Sequence, residues 1–342
     1  MKNEVNILLT CSSFHAVGII DCLKHNPDLV PVRVYVANHC AADLPPEDCC
    51  DGTFVAPSLT SGSYIPWLLS MCVLFKIDVI FPTSSLELEL MASRKDDFEK
   101  IGVQVSVSSL QSVQIAGDKI KSWESFSRFM PRQVVANNAN DVLEFSREVK
   151  SICCKPVNLC GGKGFAVVDE EKATEVSLFH AYGKKHYISL WQLCKAVEKC
   201  ASPMILQEYH EGMDYVAGAL AANGKMTHFC GCFASKLEFG ATVAGEIQPC
   251  EKAQEIAQKV IEGLGIDGNV GFDFIVKDDG TVLLVDINLR VNATVQFYAK
   301  AGLNMPWLRV KQLLGSDVSD EQPEIDYGLQ IVKYFAAHYF HE

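Results

Sequence analysis

The sequence predicts an α/β domain with a parallel sheet at the N-terminus, followed by a two-lobed α+β region. Three observations carry this. Strand and helix patterns alternate over residues 1–115, as a parallel sheet with crossover helices requires. Residues 152–168 read as strand, glycine-rich loop, strand, and residues 204–292 read as mainly antiparallel strands with one helix against them. A length of 342 residues suits two or three lobes rather than one core.

The alternating segment runs Val5–Thr10 (strand), Ala16–Lys24 (helix), Val30–Val36 (strand), Ile65–Phe75 (helix), Val79–Pro82 (strand) and Leu86–Lys100 (helix). Ligands of such sheets bind at the carboxyl ends of the strands. The first turn, Cys11 to Phe14, lacks the G-x-G-x-x-G pattern, which disfavours a dinucleotide. Thr83, Ser84 and Ser85 follow the third strand at a helix start; capping explains them, and a substrate anion is the sharper alternative.

The next helix is expected over Ser122–Phe129, with Lys119 and Lys121 just ahead of it. Lysines there oppose the helix dipole, so they are either solvated or placed to meet phosphate. Lys155 ends an apolar strand, where a lysine is out of place without an anion. Gly161, Gly162, Lys163 and Gly164 then form a turn whose backbone N–H groups could approach phosphate oxygens, although no Walker sequence is present. Residues 170–200 give two helical patches around an unreadable middle.

Strands follow at Met204–Tyr209, Asp214–Ala222 and Met226–Ser235, with a turn at Asn223 and Gly224, then a helix Ala253–Leu264 stopped by Gly265. The central feature is the hairpin Gly271–Val276 and Thr281–Asp286, turned at Lys277–Gly280. It carries Asp273 and Asp286 in otherwise apolar runs. Buried carboxylates need a cation or donors. Asn288 and Arg290 continue at a spacing of two, so in an extended chain they share the face of Asp286. Two carboxylates, an amide oxygen and a guanidinium can hold Mg²⁺ and a phosphate together; the alternative is a hairpin with one solvated face. The tail is expected to be helical over Ala299–Gly315, with a last strand at Gly328–Phe335.

Composition excludes several classes. Hydrophobic residues at 49% and charged ones at 21% are globular values. A net charge of −12 argues against nonspecific nucleic-acid or anionic-membrane binding. No apolar run approaches the roughly 20 residues of a membrane helix, and the N-terminus reads as a strand rather than a signal peptide. The 14 cysteines lack zinc-site spacing and the 9 histidines are dispersed, so the expectation is a cytoplasmic protein with reduced thiols.

The order of these pieces resembles the ATP-grasp superfamily, and particularly its carbamoyl-phosphate-synthase-like branch. The likeness spans nearly the full chain and is strongest over 152–168, 204–218 and 270–311. It implies a pre-ATP-grasp, Rossmann-like domain at 1–115, an ATP-grasp subdomain with the phosphate loop at 116–202, and a second subdomain with the metal site at 203–342. Position by position, Lys155 resembles the lysine on the α-phosphate and adenine edge, and Lys119 an earlier phosphate lysine. Residues 161–164 match the loop closing over the triphosphate. Gln207, Glu208, Tyr209 and His210 match the adenine hinge, and Asp214 the ribose carboxylate. Asp273, Asp286 and Asn288 correspond to ligands of Mg²⁺, with Mn²⁺ as a substitute ion. Arg290 corresponds to the residue steadying the reacting phosphate, and Lys236 to a looser phosphate contact. The ribose and metal acids are Asp where Glu is common.

The resemblance implies an ATP-dependent carboxylate–amine ligase with small, amino-acid-like substrates, working through an acyl phosphate without covalent attachment to the protein. Two other readings stay open: phosphorylation of a carboxylate, carbamate or bicarbonate without ligation, and a nucleotide sensor without turnover. The acceptor is expected near Ser84, Ser85, Glu87 and the segment Lys236–Glu246. A homodimer is the assembly the family suggests.

Overall fold

The computed structural model describes residues 3–12, 16–157, 164–173, 186–200, 202–238 and 241–334. Three sheets organise them.

The first sheet is built from β1 (Val5–Thr10), α1 (Ala16–Lys24), β2 (Val32–Asn38), β3 (Gly52–Val55), α2 (Tyr64–Leu74), β4 (Val79–Pro82), α3 (Ser85–Ser93), α4 (Lys95–Glu99) and β5 (Gln104–Val105). Its five strands are parallel, in the order β3-β2-β1-β4-β5. The chain therefore reverses its direction of growth between β1 and β4, and the crevice outside the carboxyl ends of those two strands is the ligand position of such sheets. The expected helix Leu86–Lys100 is two helices, broken where Arg94 adopts φ −119 and its guanidinium turns onto Asp97 at 2.6 Å.

Two helices follow, α5 (Leu110–Gly117) and α6 (Lys119–Phe126). The latter starts three residues before the expected Ser122. Asp118 caps it, its Oδ1 accepting from the amides of Ile120 and Lys121, which outweighs the unfavourable lysines in the first turn.

The middle lobe comprises β6 (Gln133–Ala136), α7 (Ala139–Glu148), β7 (Ile152–Pro156), β8 (Ala166–Val168), β9 (His186–Ile188), α8 (Leu190–Lys199) and β10 (Met204–Glu208), with sheet order β6-β10-β7-β8-β9. The strand Met204–Glu208, grouped with the later strands in the sequence reading, pairs here with β6 and β7. One face packs on α7 and α8 through Ala136, Cys154, Leu193, Val197 and Leu206. By alternation, the other face carries Gln133, Cys153 and Gln207 in one row and Lys155 and Ile205 in the next.

The last lobe contains β11 (Met213–Ala222), β12 (Lys225–Glu238), β13 (Ala241–Ile247), α9 (Glu251–Leu264), β14 (Gly268–Val276), β15 (Val282–Asn288), α10 (Val295–Lys300), α11 (Met305–Leu313) and β16 (Gln330–Val332). Its six strands run β15-β14-β11-β12-β13-β16. Helix α9 covers one face, with Ala257, Val260 and Ile261 against Tyr215, Ala217 and Phe272, and ends at Gly265 in the left-handed conformation (φ 62). Helices α10 and α11 cover the far end of the opposite face, through Phe297, Tyr298 and Met305 on Leu220 and Cys232. The expected single helix over Ala299–Gly315 is thus two, separated around Gly302 (φ +109).

Candidate active site

The hairpin of acids forms as the sequence suggests. Asp273 and Asp286 are partners across β14 and β15, and Asn288 lies opposite Gly271. The register shifts between Asp273 and Phe274, opposite Val285, yet the two carboxylates stay on one face. Val216 is the partner of Asp273 on β11, so Asp214, two residues before it, shares that face. This is the face that α10 and α11 leave uncovered at the near end. Burial pushes the Asp273 carboxyl up to about 7, and the neighbouring Asp286 adds to the effect; Arg290 opposes it and Asp214 reinforces it. Two carboxylates in register are a repulsive pair, and a cation between them removes the repulsion.

Asn288 donates its Nδ2 to Asp286 Oδ2 at 3.3 Å, which leaves its amide oxygen for another partner. Among the described residues no cluster of three or more His, Cys, Asp or Glu side chains is arranged to hold a metal. The donor set is two carboxylates and one amide oxygen. Those are hard oxygen donors, and they fit Mg²⁺, which keeps several waters and takes few protein ligands.

Arg290 does not continue the strand. Its amide donates to the Asn288 carbonyl at 2.7 Å, a tight turn that takes the guanidinium off the extended path expected from the spacing. The side chain then reaches the first sheet, with Nε 3.4 Å from Ser85 Oγ and Nη1 donating to the Val291 carbonyl at 3.0 Å. The segment after it lies against the sheet because Gly271 has no side chain: a Cβ there would stand 2.9 Å from Asn292 Cβ. Asn292 Nδ2 bonds the Ala217 carbonyl at 3.1 Å, fixing the segment.

At the crevice of the first sheet, Ser84 caps α3 by accepting from Leu86 N at 3.3 Å, while Ser85 faces Arg290. Glu87 is wholly buried (0% exposed) and lies beneath the crevice rather than lining it. Thr10 Oγ1 donates to it at 2.8 Å, and the Tyr64 hydroxyl donates to its other oxygen. Burial pushes the Glu87 carboxyl up to about 7, against these hydrogen bonds. Tyr64 escaped the sequence reading because a buried tyrosine on a helix carries no signal of its partner.

The basic residues converge from the middle lobe. Lys119 Nζ donates to the Val157 carbonyl at 3.1 Å, which brings it to the end of β7 that carries Lys155. Gln207 Nε2 lies 3.4 Å from Gln133 Oε1, one rung from Lys155. Glu208 has the alternation of Leu206, toward the helices, and its Oε2 is 3.6 Å from His210 Nε2. The amide of Tyr209 donates to the Ser151 carbonyl at 2.9 Å, fastening the hinge. Gly164 has φ 72; Gly161, Gly162 and Lys163 lie outside the described residues. Lys236 sits between two register shifts of β12, mostly exposed, and pairs with Glu238 at 2.6 Å. The geometry thus joins Lys119 with Lys155, and Asp273, Asp286 and Asn288 with Arg290, but leaves Lys236 with a local partner.

Comparisons with known proteins bear on the fold and its relatives. Residues 7–106 match the family model "PylC-like, N-terminal domain", residues 118–212 "Prokaryotic glutathione synthetase, ATP-grasp domain", and residues 201–335 "ATP-grasp in the biosynthetic pathway with Ter operon". The carbamoyl phosphate synthase large chain of Corynebacterium glutamicum is 23% identical over 248 residues, which are 67% of this chain and 21% of that protein. The chain therefore spans about a fifth of that curated relative's length. Among solved structures, N5-carboxyaminoimidazole synthetase from Staphylococcus aureus, complexed with ADP, superposes with a TM-score of 0.68 at 12% identity, covering 95% of this chain and 81% of that one. L-amino acid ligase from Bacillus licheniformis gives a TM-score of 0.65 at 15% identity, with 94% and 78% covered. Residues 118–335 thus match ATP-grasp models, and the chain is related to the carbamoyl-phosphate-synthase-like branch of that superfamily.

Proposed function

We propose that this chain is an ATP-dependent carboxylate–amine ligase that passes through an acyl phosphate and releases ADP and phosphate. The observation that carries the reading is the contact between Arg290 and Ser85. It sets the ligand crevice of the parallel sheet against the hairpin that holds Asp273 and Asp286.

A carboxylate is a poor electrophile because its leaving group would be oxide. When its oxygen attacks the γ-phosphorus of ATP, the bond to the β–γ bridging oxygen breaks and ADP leaves. The resulting acyl phosphate has a good leaving group; an amine attacks its carbonyl carbon and inorganic phosphate departs. The residues supply position and charge rather than a covalent partner. Lys119 and Lys155 would meet the phosphates, the group that the resemblance also assigns to residues 161–164, of which 161–163 lie outside the described residues. Gln207, Glu208, Tyr209 and His210 would line the adenine, and Asp214 would take the ribose. Arg290 would steady the phosphoryl group in transfer, and Lys236 would join only by exchanging its pairing with Glu238. Asp273, Asp286 and Asn288 would hold Mg²⁺, or Mn²⁺ in its place. The ion would supply neutralisation of the charge spread over the transferring oxygens.

The structural neighbours include an enzyme that joins amino acids, which supports amino-acid-like substrates. The likeness to a carbamoyl phosphate synthase favours, as a second reading, phosphorylation of a carboxylate, carbamate or bicarbonate without ligation. Among the described residues no helix is long and apolar enough to cross a membrane. We assign the chain to the cytoplasm as a small-molecule enzyme with neither nucleic-acid nor membrane partners, and a homodimer as its assembly.

The test is phosphate release from Mg²⁺–ATP with amino acids and small carboxylates, singly and in pairs, with mass spectrometry of each mixture. A product lighter by water than the summed pair supports ligation. Release with one acid alone supports the second reading. Silence across the panel despite ADP binding overturns turnover. In the active mixture, Asp286→Asn should keep the fold and lose at least about a hundredfold in rate; an unchanged rate would sink the metal assignment.

A further inference from the structure

One cation on the open face of the last sheet has no part in the scheme above. Lys333 follows β16, its amide donating to the Val243 carbonyl at 2.7 Å. Its side chain turns back over the face that carries Asp273 and Cys232. The ammonium donates to the Ala293 carbonyl at 2.7 Å and stands 5.0 Å from the centre of the Phe297 ring. Ala293 is three residues past Arg290, so Lys333 meets the very segment that leaves the hairpin. It is half-buried, and burial holds its ammonium below the usual lysine range, with no carboxylate among the described residues near enough to oppose that. Among the described residues, the other lysines of this lobe that are not exposed each have an acid: Lys311 has Asp28 at 3.0 Å and also Glu321, and Lys277 has Asp279 at 3.3 Å.

A half-buried ammonium with one carbonyl partner retains donors for an anion, and an anion would restore the charge lost with water. It cannot be the γ-phosphate, which belongs beside Asp273, Asp286 and Arg290. Cys232, the titratable group that acts on Lys333, lies on β12, with β11 between it and the hairpin strand of Asp273.

We propose that Lys333 binds a carboxylate of the acceptor pair other than the one that is phosphorylated. At least one substrate is then an amino acid or diacid whose second carboxylate stays free through the reaction. The proposal rests on the ligase reading and narrows it to substrates bearing such a group.

Binding tests it without requiring turnover. Amino acids and diacids would be titrated, each beside its amide or decarboxylated counterpart, onto the full chain with Mg²⁺ and a non-hydrolysable ATP analogue, for the wild type, Lys333→Met and Lys333→Arg. The wild type should favour at least one carboxylate-bearing compound over its uncharged counterpart by about tenfold or more. Lys333→Met should remove that preference while leaving the counterpart's affinity and the nucleotide's affinity unchanged, and Lys333→Arg should restore most of it. An equal loss for acid and amide would show that the lysine only ties down the Ala293 segment, overturning the proposal. So would the absence of any preference in the wild type. Failure of the nucleotide itself to bind in the wild type would overturn the ATP-grasp reading instead, and the panel repeated without nucleotide would still report on Lys333.

Discussion

Glu87 and Asp273 are held where ionisation is disfavoured, the first by complete burial and the second by burial beside Asp286. Both carboxyls are pushed up to about 7, from ordinary values of 4.5 and 3.8. Between those limits the folded chain binds more protons than the unfolded one, so stability falls as pH rises and the penalty is complete above about pH 7. The metal-free chain should therefore denature more readily at about pH 8 than at about pH 5. Glu87→Gln, whose amide stands in for the protonated carboxyl, should change stability at the acidic end by less than about 1.5 kcal/mol and should flatten the slope. Chemical denaturation across that range checks it, and a slope parallel to the wild type would refute the assignment. At this scale the sequence was legible where type and spacing sufficed: Asp273 and Asp286 stand out against apolar neighbours. Arg290 was noticed for its spacing from Asp286 but not for its path, because the turn at Asn288 is decided by packing of the segment on Gly271. Glu87 was noticed, yet its burial depends on Thr10 and Tyr64, which come from other elements.

Elements were readable to the extent that local signals agreed. The run Val5–Thr10 is a strand residue for residue, since it is apolar and bounded by a polar turn. Strands β3 and β5 went unseen because four and two residues at sheet edges give too little pattern. The start of α6 was misplaced since the lysines outvoted Asp118, whose two hydrogen bonds only a structure reveals. A close joint between the last sheet and the helices over it is Gly218 on β11, where a Cβ would stand 2.8 Å from Tyr298 Cε2 and 2.9 Å from Met305 Cε. Tyr298 is fully buried and its hydroxyl donates to the Val216 carbonyl at 2.9 Å, so it has little room to give. Gly218→Ala should cost about 1–3 kcal/mol and displace α10, lowering turnover. Gly62→Ala, which would meet nothing within 4 Å, should leave both unchanged. Urea unfolding and phosphate release measure the two effects; equal behaviour of the variants would refute the packing account.

Across the whole molecule, the cores are unevenly shared. One core runs from helices of the first domain, through Leu68 and Val113, to Tyr215 and Phe272 of the last sheet. Arg309 locks the same joint, Nη2 to Asp267 Oδ2 at 2.7 Å, with Nε 3.3 Å from Ser106 Oγ. The middle lobe has a separate core around Phe145, Leu193 and Leu206. It should open on its own: amide exchange in β6 to β10 should exceed that in β1 and β11, and MgADP should slow it selectively. Uniform exchange, or protection spread evenly, would contradict this. The alternating pattern and the antiparallel run foretold the order of the sheets, whereas the placement of β10 in the middle sheet depends on long-range pairing that periodicity does not encode.

The three residues of β16 have a further consequence. They cover the outer side of β13, pairing through Ala244, Gly245 and Glu246, and so stand between a seven-residue strand and any other chain. A chain shortened before Gln330 would leave that row of backbone donors and acceptors unsatisfied, an invitation to edge-to-edge aggregation. Poor solubility of such a truncation would then reflect an uncovered margin of the sheet rather than a damaged core.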